Sequence, residues 1–178
     1  ETTIHVGVAA WQWPSYFDPE TKMKGITLDI ADWRRPSPES APVQAKAAGL
    51  YMICTLAKHT AERKGFQDAL MLDYRGYVAE ATGANIFFLM NDGKIHTPKA
   101  DCFLDGITRR TVIELAKQAG LEVVERHILP DELENAREAF LTGTAAEITP
   151  ISKIADYNFK PDTACRTLVE AYTNVTNS

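Results

Sequence analysis

No stretch of this 178-residue chain stays apolar for the roughly 20 residues that a membrane-spanning helix requires, so a water-soluble chain with no membrane partner is expected. A cysteine framework is missing as well. Cys54, Cys102 and Cys165 are odd in number, far apart and without a C-x-x-C pair, which argues against a disulfide scaffold and against structural zinc. Three buried thiols in a reducing cytoplasm are the expectation. His5, His59, His96 and His127 are scattered with no second histidine or cysteine two to four residues away, so no metal site is expected. The 19 basic residues are outnumbered by 24 acidic ones and gather into no stripe, which leaves no cationic face for a nucleic acid. Internal repeats and low-complexity linkers are also lacking.

What is present is an ordinary globular composition, 45% hydrophobic and 24% charged, long enough to bury a core as one domain over residues 1–178. The first residues, ETTIHVGVAAW, lack an initiator Met and a signal-peptide pattern and enter strand-like alternation at once, as the later part of a longer protein would.

Residues 2–13 and 26–34 read as strands separated by a polar loop with Pro14, Pro19 and Gly25. Three prolines between Trp33 and Pro42 exclude regular helix there. From about Ala45 to Lys64, Leu50, Tyr51, Cys54, Ala57 and Ala61 recur at spacings of three and four, and Gly65 marks the stop: a helix is predicted. DALMLDY and YVAEA around Arg75-Gly76, then NIFFLM and KIHTP around Asn91-Asp92-Gly93, read as four short strands of a meander. A helix follows over TRRTVIELAKQAG, a strand over LEVVERHI, another over EAFLTG, and a last helix from about Pro161. The sum is an α+β domain.

Four elements carry chemistry. Glu80 is followed by a run of small residues in EATGANIF. Gly106, Ile107 and Thr108 open a predicted helix, whose exposed N-H groups and dipole suit a phosphate, although a capped helix gives the same pattern. Gly143 and Thr144 with two alanines behind them make either an anion-binding loop or a tight turn. Lys46 stands between alanines ahead of apolar helical turns, where a desolvated amine would be a nucleophile and a surface lysine would look the same. Taken together, a lysine, an acid and an N-H-rich cup are what pyridoxal phosphate chemistry requires.

The order Glu80, Thr82, Asn85-Ile86-Phe87, Ile95-His96-Thr97, Leu104-Asp105-Gly106-Ile107-Thr108-Arg109 resembles the signature of the class IV aminotransferases, the fold-type-IV pyridoxal phosphate enzymes. QAKAAGLY is similar to the segment bearing that family's Schiff-base lysine, and TGTAAEITP to its second phosphate and substrate loop. TGTAAEITP and AAWQWPSY resemble most the branched-chain amino acid aminotransferases. The resemblance implies the D-amino acid aminotransferase-like fold, here as the large C-terminal domain with a mixed, barrel-like sheet flanked by helices. The family's small N-terminal domain, with its phosphate-binding arginine, has no counterpart in this sequence.

By the same resemblance Lys46 binds pyridoxal 5'-phosphate covalently and moves the proton between the substrate's Cα and the cofactor. Glu80 faces the pyridine nitrogen, and Tyr51 bonds the ring's phenolic oxygen. Ile107, Thr108 and Thr144 cup the phosphate. Thr144 and Ala145 bind the substrate carboxylate, while Trp13 and Tyr16 line an apolar side-chain pocket. The implied activity is transamination between leucine, isoleucine or valine and 2-oxoglutarate in a cytoplasmic homodimer. D-amino acid transaminase, aminodeoxychorismate lyase and a non-catalytic domain of the same fold are the alternatives.

Overall fold

The computed structural model describes residues 2–12 and 24–177. Its framework is a nine-stranded mixed sheet. Strand β1 (Ile26–Arg35) is central and pairs in parallel with both β2 (Asp68–Asp73) and β8 (Glu147–Ile154). Beyond β2 lies β3 (Val78–Ala81), antiparallel across the turn at Gly76, whose φ of 95° suits glycine. Beyond β8 come β7 (Ala136–Gly143), β4 (Asn85–Met90), β5 (Ile95–Pro98) and β6 (Val123–Arg126), and the short β9 (Tyr157–Asn158) pairs with β8.

The expected hairpins form, but the meander does not. β2-β3 and β4-β5 sit on opposite arms of the sheet, because β4 takes β7 as its other neighbour while β3 is an edge. The sheet curls so that both arms face one interior. Leu70 and Val78 from one arm pack in a single cluster with Ile86, Phe88, Ala139 and Leu141 from the other. Period-two alternation then sends Phe87 to the outer face, where it stacks on Phe140 with ring centroids 5.1 Å apart.

Three helices cover the outer face. Helix α1 (Tyr51–Arg63) buries Cys54, Ala57 and Ala61 against Ala31, Ala69 and Met71, mostly small residues that let the helix lie close to the sheet. Helices α2 (Ile107–Gln118) and α3 (Thr163–Thr176) bury Val112, Ile113, Ala116, Cys165 and Leu168 over Phe87 and Phe140. The start of α3 has no cap of its own. Glu138, buried on β7, reaches it and accepts from the backbone N-H groups of Asp162, Ala164 and Cys165.

Two other expectations are corrected. Residues 2–12 form no strand: Ile4, Val6 and Val8 alternate as a strand would but are exposed, and an alternating pattern sets a strand only where a neighbour covers one face. The predicted helix from Ala45 begins only at Tyr51, after a single 3-10 turn over Ala48–Leu50, which puts Lys46 in an irregular segment. All three cysteines are buried and free. No helix among the described residues is long and apolar enough to cross a membrane.

Candidate active site

A cavity of about 480 Å³ opens between α1, the end of β1, the β3-β4 turn, the start of α2 and the β7-β8 turn. Its lining brings together Lys46, Tyr51, Glu80, Ile107, Thr108 and Thr144, which come from five separate stretches of the sequence. Ala145 follows in the same turn without lining the cavity. Trp13 and Tyr16 lie outside the described residues.

Glu80 forms the floor. It is only 9% exposed, and burial pushes its carboxyl up to about 8, an effect the nearby Arg35 guanidinium partly offsets. Arg35, at the end of β1, places Nε 3.3 Å from Glu80 Oε1, an ion pair without hydrogen-bond alignment, so that Nε stays unsatisfied. The other carboxylate oxygen accepts from Asn85 Nδ2 at 3.2 Å. Small neighbours explain this placement. Gly83 and Ala84 turn the chain from β3 to β4 and line the cavity themselves, leaving open space above the acid where larger side chains would stand.

Tyr51, the first residue of α1, faces the same space. Its hydroxyl is pushed above the usual tyrosine value by burial and then by the Glu80 charge, so it stays protonated and can donate a hydrogen bond. Lys46 is exposed, which matches the surface-lysine alternative of the two left open by the sequence.

The far wall is the start of α2. No side chain caps it, and Ile107 and Thr108 both line the cavity, so this helix end offers N-H groups and a positive dipole to an anion. Arg109 fixes that end. Fully buried, it donates to Asp105, to the Pro98 carbonyl and to Glu125, pinning the helix start to β5 and β6. The preceding loop is anchored by Asp101. Burial alone would raise its carboxyl, but hydrogen bonds from Arg75 and His127 hold it near 2. The same Arg75 guanidinium also bonds Asp73 and Cys102, and so fills the one grouping of metal-ligating side chains among the described residues.

The β7-β8 turn closes the site. It is the tight turn, one of the two readings of TGTAAEITP, and it borders the cavity: Gly143 pairs with Glu147, which adopts φ 51° in the left-handed region, and Thr144 lines the opening. Just below, Thr142 lines the cavity with a hydroxyl that is buried and has no partner. Thr142 and Arg35 escaped the sequence reading. Each belongs to a run read as strand or its continuation, and only the register Asn85↔Thr142 brings the threonine to the site.

The residues present fit pyridoxal 5'-phosphate on chemical grounds. An acid for a ring nitrogen, an uncapped helix start for a phosphate and an unsatisfied buried hydroxyl border one cavity that also carries a lysine.

Comparison with known proteins agrees. The sequence model of the class IV aminotransferases matches residues 1–154. A probable branched-chain-amino-acid aminotransferase of Rickettsia felis is 47% identical over 136 residues, 76% of this chain and 47% of that protein. The branched-chain-amino-acid aminotransferase of Pseudomonas aeruginosa is 42% identical over 151 residues, 85% of this chain and 49% of that protein. The chain thus spans about half the length of the curated relatives it matches. Among solved structures, an aminotransferase from Brucella abortus bound to pyridoxal phosphate superposes with a TM-score of 0.82 at 33% identity, covering 90% of this chain and 57% of that one. The branched-chain aminotransferase from Thermoproteus uzoniensis, solved with norvaline, gives 0.87 at 37%, covering 94% and 55%.

Proposed function

The chain belongs to the class IV aminotransferase family, and from that premise we propose that it is the large cofactor-binding domain of a transaminase that moves the amino group of leucine, isoleucine or valine to 2-oxoglutarate. The observation that carries this reading is the convergence of Lys46, Glu80 and the uncapped start of α2 on one cavity. The branched-chain relatives and the norvaline-bound neighbour support the substrate class.

Pyridoxal phosphate, when bound, supplies an aldehyde for an amine and a ring that accepts the electron pair left at Cα. Lys46 would hold it through its amine and would carry the proton to and from the substrate's Cα. Glu80 holds a proton at the ring nitrogen. A carboxyl poised near 8 shares its proton readily with a nitrogen base, and Arg35 beside it supports the charged form. Tyr51 donates to the ring's phenolic oxygen. The N-H groups of Ile107 and Thr108 and the hydroxyls of Thr108, Thr142 and Thr144 hold the phosphate, with Thr142 gaining the partner it lacks. The N-H groups of Thr144 and Ala145 orient the substrate carboxylate, and Trp13 and Tyr16 wall the aliphatic side chain.

The reading extends to a homodimer in the cytoplasm. Exposed apolar side chains such as Trp33, Met52 and Leu56 support the first, and three unpaired thiols support the second.

The test is an assay of the purified protein with pyridoxal 5'-phosphate, L-leucine and 2-oxoglutarate, with D-alanine and aminodeoxychorismate as competing substrates. Formation of 4-methyl-2-oxopentanoate and L-glutamate, abolished in Lys46→Ala, is expected. Preference for D-alanine or conversion of aminodeoxychorismate would overturn the substrate assignment.

A further inference from the structure

One buried carboxamide touches both ends of the candidate site. Asn85 opens β4 and is 5% exposed. Its Nδ2 donates one hydrogen to Glu80 Oε2 at 3.2 Å and the other to the Leu104 carbonyl at 3.0 Å. Its Oδ1 accepts from the Gly106 N-H at 3.2 Å. Both donors and the acceptor are therefore committed. The orientation of the amide follows from its partners, since flipping it would set Oδ1 against a carboxylate and a carbonyl, and Nδ2 against an N-H.

Gly106 reinforces this contact. Its φ of −65° is open to any residue, so conformation does not demand glycine. Space does. A Cβ at 106 would collide with Asn85 Oδ1, so the close approach of backbone and amide explains the glycine.

We propose that Asn85 is a positioning residue that ties the floor acid Glu80 to the Leu104–Gly106 segment at the mouth of α2, fixing the separation between a nitrogen-recognising and an anion-recognising group. The proposal rests on the aminotransferase reading for the identity of the ligand that spans the two. Its consequence is coupling: disturbance at Gly106 reaches Glu80, although the two residues are not bonded to each other, and the carrier is one side chain. The other charged or titratable groups facing Glu80 are Arg35 from β1 and Tyr51 and Cys54 from α1, and none of them bonds Gly106.

The test uses the chain without cofactor, carrying ¹³C-labelled glutamate carboxyls, with amide exchange followed at Gly106. In Asn85→Ala the carboxyl of Glu80 should titrate about one unit higher, having lost a donor to its charged form. The Gly106 amide should exchange about tenfold faster. Asn85→Asp separates the halves: an oxygen still faces the Gly106 N-H, so protection persists, while a second carboxyl near Glu80 raises its titration further. Gly106→Ala guards against a misfolded Asn85→Ala. It should shift the Glu80 titration by displacing Asn85. A folded Asn85→Ala with wild-type titration and exchange, or a Gly106→Ala change that leaves Glu80 untouched, would overturn the coupling. These readouts need no ligand. Failure of the wild type to bind pyridoxal 5'-phosphate would instead bring down the aminotransferase reading, with the coupling still decided by Glu80 and Gly106.

Discussion

Glu80 and Lys46 border the same cavity, yet the first is buried on a strand and held by Arg35 and Asn85, while the second is exposed in an irregular segment. The difference follows from how each is placed. Glu80 inherits its position from the register Met71↔Glu80 and from a core that packs on both sides of the sheet. Lys46 lies between the prolines that follow β1 and the helix that starts at Tyr51, in a loop ordered by a 3-10 turn, short loop bonds, the buried Val43 and the Gln44–Ala100 bond, none of which holds the lysine side chain itself. Folding thus buries the acid in the packed sheet, whereas the lysine side chain stays exposed beside two anchored neighbours, the buried Val43 and Gln44, which donates to the Ala100 carbonyl.

Side-chain deletion should affect the packed framework and the lysine end very differently. Phe87→Ala removes a fully buried ring that stacks on Phe140 beneath α2 and α3, and should destabilise the chain by about 3–5 kcal/mol in denaturant unfolding. Lys46→Ala should change stability by under about 0.5 kcal/mol in the same experiment. If Lys46→Ala proved as costly as Phe87→Ala, the lysine would be part of the packed framework and the contrast would fail.

The acid end should also make stability depend on pH. The carboxyl of Glu80 is raised from about 4.5 to about 8, so the folded chain binds a proton that the unfolded chain has lost across that window. The contribution of this group is therefore fully present below about 4.5 and is lost as pH rises toward about 8, at up to about 1.4 kcal/mol per pH unit. Glu80→Gln carries no proton to lose, and its unfolding free energy should fall less with pH over that window. Identical slopes for the two proteins would mean that Glu80 is not held in its neutral form. The floor acid costs stability at neutral and higher pH, as a group placed for a ligand would.

The contrast also explains what could be read in the sequence. Glycines at turns and the three- and four-residue spacing of Cys54, Ala57 and Ala61 are local signals, and the hairpins, α1 beyond Tyr51, α2 and α3 follow from them. The splitting of the hairpins between the two arms is a matter of which distant strand each edge accepts, which no local pattern encodes. Residues 2–12 carry a strand pattern without a covered face, and period alone does not make a strand. For the site, Lys46, Glu80, Ile107-Thr108 and Thr144 were legible because they resemble an ordered family pattern. Arg35 and Thr142 were not, because their roles depend on pairing across the curled sheet.

The most direct test of the proposed chemistry is the visible absorption spectrum of the wild-type protein and of Lys46→Ala during titration with pyridoxal 5'-phosphate, followed by L-leucine. A lysine that attaches the cofactor predicts a yellow band in the wild type that bleaches when L-leucine is added, and no such band in the variant. A band of equal strength in Lys46→Ala would contradict it.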